Sequence, residues 1–450
     1  PARRSTSVYD ERSKHNMERL EKAKQEKVAF HLGQLYPIHD NINFVVSESR
    51  PQVDECKILT ADEDFVYHPF NEDFGPHNLS SVYRFCLELR KIQFRSQKPV
   101  LVYTRCKKTF ATNAAFLICS YLVIEREYDP IDAWSPFAKL SPPPFSEYCD
   151  VTSGCPRDCT LSVLDCLQAL RKAREVGFLY FRNPPSQGGF DVRAYDHFEN
   201  PLNGDLHVLV PGRFLGFKGP DGSLPRGMQW VDSENLRTFH PSYYLPIFKA
   251  MNVAAVIRLN DPEYDRRCFE DQGIVVEDLY FDDCSLPPTN VVMRFLWTCQ
   301  AHGGRMLAVH CRAGLGRTGT VVALWLMRAL RFTAREAVGW LRIVRPGSVI
   351  GKQQRYLEEM QDAMWRFDEM EPDELERVFD RAAAGHHTAA ECDRDHNHLH
   401  ARHGHTHHEG RQEPPAADAH SAATHADRVS DAAADSAAAA AAKIAGLSLE

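Results

Sequence analysis

A cysteine and an arginine with five residues between them lie in the stretch VHCRAGLGRTGT, which runs from Val309 to Thr320. Glycines at positions 314, 316 and 319 let the backbone turn tightly, so that successive N–H groups can point at one anion. Arg317 can bind phosphate oxygens through its guanidinium fork, and a helix after the loop adds a positive dipole. The same positive field favours the thiolate of Cys311, which is the nucleophilic form. The stretch predicts a phosphate-binding loop with a cysteine nucleophile, in which phosphate contacts Arg312, Ala313, Gly314, Leu315 and Gly316.

This loop is predicted to connect a strand to a helix. Met306–Val309 is an apolar run typical of a buried strand, and Val321–Leu330 is typical of a helix. Strands alternate with helices along this half of the chain, which predicts an α/β fold with a mostly parallel sheet. Such folds place their sites in loops at the carboxyl ends of parallel strands. The alternative, a glycine-rich turn with a buried structural cysteine, requires neither Arg317 nor His310.

A phosphocysteine intermediate also requires an acid that protonates the leaving alcohol. The candidates lie near a predicted strand at Ile274–Val276 and Leu279–Phe281, and they are Glu277, Asp278, Asp282 and Asp283. Asp283 is preferred because it follows the apolar run and precedes the rigid Pro287-Pro288 pair, which could hold its loop. Asp282 is the rival, and an ordinary charged turn is the alternative for either residue.

Four other polar residues flank these groups. Thr318 offers a hydroxyl that could stabilise the departing sulfur, a role compatible with capping the helix. His310 is expected to fix the loop by hydrogen bonds to the backbone and not to act as a general base. Gln353 and Gln354 open a predicted helix, where a side-chain amide could orient the attacking water.

The overall composition excludes several classes of protein. The chain has 450 residues and a net charge of −8, which argues against a general binder of nucleic acid or anionic membranes. Part of that charge could instead form a site for a basic peptide. There is no run of 18 apolar residues, so no membrane insertion is expected. Thirteen scattered cysteines fit a reducing cytosol or nucleus better than a disulfide framework.

The first half of the chain contains a second strand, loop and helix in the same order. They are predicted at Pro99–Tyr103, Thr104–Ala111 and Thr112–Val123, and the loop carries Cys106. This loop has no glycine, and Thr112 stands where the arginine is required. We therefore interpret the region as a degenerate copy that does not bind phosphate.

The chain is predicted to contain two domains with flanking tails. The boundaries are an N-terminal tail or solvated helix (1–27), a non-catalytic domain (28–159), a linker helix region (160–191), a catalytic domain (192–379) and a low-complexity tail (380–450). Eleven of the 21 histidines fall between His386 and His425. A disordered, solvated tail is favoured there over metal binding at His403, His405, His407 and His408. We expect neither a metal nor a cofactor in the site.

The motif His310-Cys311-x5-Arg317-Thr318 resembles the signature of the protein-tyrosine-phosphatase superfamily. The segments 308–320 and 345–354 are more closely similar to the cell-division-cycle-fourteen, or mitotic-exit, dual-specificity phosphatases, and so are 73–79, 113–118 and 164–168. The resemblance covers residues 30–370 and implies two tandem phosphatase-like domains joined by a linker helix. It also implies that only the second domain is catalytic.

The resemblance implies roles for individual residues. Cys311 is the nucleophile, Arg317 the phosphate clamp and Asp283 the acid. It further implies a preference for phosphoserine before proline with a basic residue beyond, bound by an acidic groove that includes Glu199 and Asp205. Three positions depart from the family pattern, namely Leu202 for an acid, Cys284 for glycine and Lys352 for proline. The implied partners are phosphoproteins that proline-directed kinases have phosphorylated during the cell cycle. The implied location of this protein is the nucleus and cytoplasm, with the spindle or centrosome as a further site. The oligomeric state is not predicted.

Two other functions use the same residues. An inositol-lipid phosphatase often carries two lysines in the loop, but Arg312 and Leu315 stand there, so one cation is missing. The acidic composition also disfavours a membrane substrate. A non-enzymatic phosphopeptide-binding scaffold is disfavoured because Cys311, Arg317 and Asp283 are all present.

Overall fold

The computed structural model describes residues 2–69, 73–96, 98–152, 159–225, 227–233 and 236–384. The chain forms two compact units. The first unit comprises Pro1–Tyr67, Phe74–Tyr148 and Thr160–Leu179. The second comprises the described residues of His68–Asp73 and Cys149–Cys159 and those from Tyr180 to Ala384. The second unit therefore includes two short segments from the first half of the sequence.

The first unit is built around a small sheet. Its strands lie in the order β2 (Tyr36–Pro37), β3 (Ile42–Val46), β5 (Val100–Thr104) and β4 (Lys57–Thr60). In it β3 and β4 run parallel to β5, while β2 is antiparallel to β3. Its helices are α1 (Ala2–Gln25), α2 (Ala61–Asp64), α3 (Leu79–Arg95), α4 (Lys108–Glu125), α5 (Pro130–Ala138) and α6 (Val163–Glu175). Its strands are β1 (Val28–Ala29), β2 (Tyr36–Pro37), β3 (Ile42–Val46), β4 (Lys57–Thr60), β5 (Val100–Thr104) and β6 (Leu140–Ser141).

The central helix α4 is apolar on every side and is buried from Ala111 to its end at Glu125. Such a helix must be covered all round, and α3, α5 and α6 pack against it. The helix begins at Lys108, earlier than the predicted Thr112, so the loop after β5 is shorter than expected. The helix predicted within the region 160–191 is α6, which begins after Ser162 because that residue and Asp165 form a capping box.

The second unit contains a larger sheet with the strand order β12-β11-β13-β8-β7. The first four of these strands are parallel, and β7 is antiparallel to β8. The strands are β7 (Leu206–Val210), β8 (Phe214–Lys218), β9 (Trp230–Ser233), β10 (Leu236–Phe239), β11 (Val253–Arg258), β12 (Val275–Asp278) and β13 (Met306–Cys311). The helices are α7 (Val192–Glu199), α8 (Pro241–Ala250), α9 (Arg267–Glu270), α10 (Thr289–Ala301), α11 (Gly316–Leu330), α12 (Ala334–Val344), α13 (Lys352–Trp365) and α14 (Pro372–Ala384).

Helices cover both faces of this sheet, as the predicted α/β fold requires. Phe217 on one face packs against Tyr244 and Phe248 of α8, with ring centroids 4.9 and 5.2 Å away. Phe214 on the other face meets Trp325 of α11 at 5.1 Å. Burying one such ring contributes about 1.5–3 kcal/mol. Strand β13 lies at the centre, buried along its whole length, and its carboxyl end carries the predicted loop.

One local prediction in the second unit is wrong. The capping box of Thr333 and Glu336 opens α12, which ends at Val344. The predicted strand at Leu279–Phe281 is absent, because the chain leaves the sheet after Asp278 and becomes a loop. Within the described ranges, no helix has the length and apolar character needed to cross a membrane. The histidine-rich part of the predicted tail, including His403 and its neighbours, lies outside the described residues.

Candidate active site

The predicted phosphate-binding loop connects β13 to α11. Cys311 is the last residue of the strand and is buried, and the helix begins at Gly316. Gly314 has φ +69°, a left-handed conformation that side chains disfavour. A Cβ at Gly314 would lie 2.1 Å from the carbonyl oxygen of Phe217, so no larger residue fits there. The loop is therefore pressed against the end of β8, and the positive end of α11 faces it.

His310 lies immediately behind the cysteine and fixes the backbone there. Its Nδ1 is 3.0 Å from the carbonyl oxygen of Cys311, and its Nε2 is 2.8 Å from the hydroxyl of Tyr264. A carbonyl can only accept, so Nδ1 carries the proton and Tyr264 donates to Nε2. Burial lowers the pKa of His310 to about 4, so the ring is neutral at pH 7. The predicted anchoring role is confirmed.

Two of the four candidate acids belong to other ion pairs. The Arg258 guanidinium lies over the Tyr264 ring, and its Nε donates to Asp278 Oδ1 at 2.6 Å. Glu277 is paired with Arg294 at 3.3 Å. These contacts hold both carboxylates along β12.

The loop after β12 presents Asp283 to the clamp arginine. Asp283 Oδ1 lies 3.2 Å from Arg317 Nε, at an angle that makes an ion pair without a hydrogen bond. Arg317 Nη1 donates to the carbonyl oxygens of Phe281 at 2.9 Å and Leu259 at 3.3 Å. In the part of the chain that the structure describes, Arg317 Nη2 makes no hydrogen bond to protein. The guanidinium is thus held through Nη1, and Nη2 is left to bind a phosphate oxygen.

Asp282, the rival acid, is engaged elsewhere. Its Oδ1 accepts a hydrogen bond from the hydroxyl of Tyr280 at 2.6 Å. Its carbonyl accepts from Ser285 Oγ, also at 2.6 Å, which closes the turn. Cys284 occupies the left-handed region with φ +52°, a conformation that suits the glycine usual in the family. The structure thus brings Asp283, rather than Asp282, to Arg317.

The two predicted glutamines differ in their contacts. Gln353 Oε1 accepts from the N–H of Ile350 at 3.0 Å, and its Nε2 donates to Ser285 O at 3.2 Å. The same amide lies against Gly316, where a Cβ would be 3.0 Å from Oε1. Gln353 therefore links the loop after β12, which carries Asp283, to the phosphate-binding loop. We call the loop after β12 the acid loop. Gln354 instead reaches Glu358 along its own helix at 3.3 Å. The water-orienting role of either residue stays a prediction.

Three other predicted residues complete the loop. Thr318 is fully buried, and its hydroxyl has no hydrogen-bond partner among the described residues. Leu315 is buried and accepts from the N–H of Gly319 at 2.9 Å. Arg312 is exposed beside the cysteine. The stabilising role predicted for Thr318 stays a prediction, and its hydroxyl is available for it.

Arg345 contacts the loop from behind and was not identified as a site residue from the sequence. Its Nε donates to the carbonyl of Gly314 at 2.8 Å, and its Nη2 donates to that of Ala313 at 2.9 Å. Its Nη1 lies 2.8 Å from Asp205 Oδ1. Glu199 Oε1 lies 3.9 Å from Nε2 of His207. The predicted peptide-binding roles of Asp205 and Glu199 stay predictions.

Asp150 is a second residue for which the sequence offered no pattern. It is buried, and its carboxylate accepts from the backbone N–H groups of Gly351 and Thr152. Arg342 supports the same segment by donating to the carbonyls of Ser348 at 3.1 Å and Val349 at 2.9 Å. That segment packs against the helix that follows the cysteine, so both residues support the site indirectly.

The corresponding loop of the first unit lacks these features. Arg105 beside Cys106 forms an ion pair with Asp62 instead of facing an anion site. Local desolvation and the charge of Glu48 raise the pKa of Cys106, which favours the thiol. This loop therefore has the cysteine, but its described surroundings favour the thiol form over the thiolate.

Comparison with known proteins identifies the family. The model described as "Dual specificity protein phosphatase, N-terminal half" matches residues 36–173, and "Dual specificity phosphatase, catalytic domain" matches residues 238–363. Human CDC14C is 36% identical over 335 residues, which cover 73% of this chain and 71% of that protein. The chain belongs to the CDC14 dual specificity phosphatase family.

Other CDC14 relatives extend the match. Human CDC14A is 41% identical over 333 residues, covering 72% of this chain and 53% of that protein. The tyrosine-protein phosphatase cdc-14 of Caenorhabditis elegans is 34% identical, covering 71% of this chain and 44% of that protein. The chain thus spans about half the length of relatives such as CDC14A. The predicted family and the two tandem phosphatase-like domains are confirmed.

Proposed function

We propose that the chain is a dual-specificity protein phosphatase that hydrolyses phosphoserine, phosphothreonine and phosphotyrosine through a phosphocysteine intermediate. The observation that carries this proposal is the convergence of three groups at the end of β13. Cys311 ends β13 where the tightly turned loop begins, and Arg317, in the first turn of α11 after that loop, lies 3.2 Å from Asp283. Membership of the CDC14 family supports the same chemistry.

In the first step the Cys311 thiolate attacks phosphorus in line with the ester oxygen. The S–P bond forms as the P–O bond to the substrate breaks, and Asp283 in its acid form gives its proton to the leaving oxygen. Arg317 and the loop N–H groups hold the three equatorial oxygens, where negative charge is concentrated. His310 is neutral at pH 7, so it adds no charge beside the Cys311 thiolate.

In the second step water attacks the phosphocysteine. The Asp283 carboxylate takes a proton from the water, the S–P bond breaks, and inorganic phosphate and the thiolate are released. The Thr318 hydroxyl is suited to donate to the departing sulfur, because it is buried without a protein partner among the described residues. Gln353 lies between the acid loop and the phosphate-binding loop, where its amide can orient that water.

The proposed substrates are phosphoproteins that carry phosphoserine before proline with a basic residue beyond, as left by proline-directed kinases. Glu199 and the net charge of −8 favour a basic peptide. Leu202 is 45% exposed where the family tends to have an acid, which weakens that preference. We further propose a role in cell-cycle control, with the protein in nucleus and cytoplasm and at the spindle or centrosome. Imaging of the tagged chain through division would test the location.

Two variants test the chemistry on a phosphoserine-proline peptide. Cys311→Ser should abolish phosphate release, because serine is not ionised at neutral pH. Asp283→Asn should slow release and accumulate phosphocysteine or bound phosphopeptide, detectable by intact-protein mass spectrometry after acid quench. Phosphate release by Cys311→Ser at the wild-type rate would refute the proposal. If the wild-type protein binds the phosphopeptide tightly but releases no phosphate, it is instead a scaffold.

A further inference from the structure

The carboxylate of Asp205 faces an arginine behind the phosphate-binding loop. Asp205 Oδ1 lies 2.8 Å from Arg345 Nη1, and the two side chains are only 17% and 2% exposed. The main-chain oxygen of Asp205 also accepts from Arg345 Nη1, at 3.2 Å. The same oxygen accepts from the N–H of Lys218 at 3.1 Å, and Lys218 is the neighbour of Cys311 in the sheet register. Both the side chain and the backbone of Asp205 therefore hold Arg345 beside the strand that ends at the nucleophile.

The remaining nitrogens of this guanidinium are also engaged. Nε and Nη2 donate to the carbonyls of Gly314 and Ala313, and Nη1 also lies 2.8 Å from Nδ1 of His207. Because an arginine only donates, His207 accepts through Nδ1 and carries its proton on Nε2. Burial lowers the pKa of His207, Glu199 opposes that shift, and the charge of Arg345 adds to it. His207 is therefore a neutral acceptor, and Asp205 is the carboxylate that balances the buried arginine.

The loop needs this support for a geometric reason. Its N–H groups can converge on phosphate only when the adjoining carbonyls face away from the anion. Those carbonyls are then directed into the protein, where unpaired polar groups are unfavourable. The planar fork of Arg345 satisfies two consecutive carbonyls through two separate nitrogens, a geometry that the single ammonium nitrogen of lysine does not offer. A buried guanidinium is stable there only with a paired carboxylate.

We infer that Asp205 is a positioning residue, which acts through Arg345 to hold the Ala313–Gly314 turn in its phosphate-binding geometry. The inference rests on the proposed phosphatase function and assigns Asp205 a task other than recognition of a basic substrate residue. The two tasks predict different results. A recognition residue affects only substrates that carry the basic residue. A positioning residue affects every phosphate ester and free phosphate alike.

The variant Asp205→Asn separates these tasks with little change of shape. Asp205 has φ +48°, and asparagine is one of the few residues that tolerate this left-handed conformation. The assays are kcat and KM for an aryl phosphate and for two phosphoserine-proline peptides, one with lysine beyond the proline and one with alanine. Inhibition by inorganic phosphate is measured in parallel. We expect kcat/KM to fall by about tenfold for all three substrates, which corresponds to about 1.4 kcal/mol, and phosphate to inhibit correspondingly more weakly.

A matched control and a second background complete the test. Asp232→Asn removes an exposed carboxylate paired with Arg237 at 2.7 Å and should change none of the four measurements. In an Arg345→Lys background, Asp205→Asn should lower kcat/KM by less than about a further twofold, because both changes act on one contact. If Arg345→Lys does not fold, the comparison of the three substrates in Asp205→Asn still decides between a positioning role and a recognition role.

Two outcomes overturn the inference while leaving the proposed function intact. One is a loss confined to the lysine peptide, which would make Asp205 a recognition residue. The other is the same tenfold loss of kcat/KM whether position 345 holds arginine or lysine, which would mean that Asp205 does not act through Arg345. Absence of wild-type turnover on all three substrates would refute the phosphatase function itself.

Discussion

The buried neutral histidine behind the nucleophile makes the second unit sensitive to acid. Burial lowers the pKa of His310 from 6.5 to about 4, so between these values the unfolded chain binds a proton that the folded chain excludes. Stability therefore falls as the pH falls through this range. His310 alone should lower the free energy of unfolding by about 2 kcal/mol between pH 7 and pH 5. The loss is complete near the folded pKa and does not grow below it.

Unfolding by urea, followed by tryptophan fluorescence at both pH values, measures this loss. Five of the six tryptophans lie in the second unit, so a Trp134→Phe background reports on that unit alone. His310→Asn should retain a donor to the Cys311 carbonyl while removing the titrating ring. Its loss of stability between pH 7 and pH 5 should be smaller than that of the parent by about 2 kcal/mol.

Tyr264→Phe is the matched control for this prediction. It removes the hydroxyl that donates to His310 Nε2 at 2.8 Å but leaves the ring buried. It should be less stable than the parent at both pH values by about 1 kcal/mol and keep most of the acid dependence. Equal acid dependence in the parent and in His310→Asn would refute the argument, because the titration would then belong to other groups.

Three further substitutions test the supports of the site. Gly314→Ala should lower kcat/KM by at least about a hundredfold, because the new Cβ would lie 2.1 Å from the Phe217 carbonyl oxygen; steady-state kinetics would show it, and near-normal activity would contradict the loop geometry. Asp150→Ala should destabilise the second unit by about 1–3 kcal/mol, measured by urea unfolding, because the Gly351 N–H loses its acceptor; an unchanged midpoint would show that the contact is dispensable. Cys106→Ser should leave kcat/KM unchanged on any phosphopeptide, and a large loss would contradict the assignment of the first loop as inactive.

The sequence by itself determined the parts of this protein that depend on neighbouring residues. The proposed nucleophile, the proposed clamp arginine and the glycines lie within one short stretch, and a turn between a strand and a helix brings such residues together whatever surrounds them. The capping box of α12 is equally local, because Thr333 and Glu336 lie three residues apart. The missing glycines around Cys106 also predict, without any structure, that the first loop is not a second site.

The acid required the tertiary structure. Four carboxylates lie between Glu277 and Asp283, and the sequence separated Asp283 from Asp282 only by a preference for its place between the apolar run and the Pro287-Pro288 pair. The choice depends on partners far away in the chain: Arg294 and Arg258 hold the first two, and only Asp283 reaches Arg317. The strand expected at Leu279–Phe281 was wrong for a related reason, since the edge strand of the sheet ends at Asp278.

The supports of the loop were decided by tertiary structure alone. Asp205, Arg345 and Asp150 come from distant parts of the chain, and none has a local pattern that marks its contact. Backbone turns and helix caps are set by interactions over a few residues, so the sequence reveals them directly. Which side chain satisfies an outward carbonyl or a buried charge depends on the packing of the whole unit, and only the folded chain decides it.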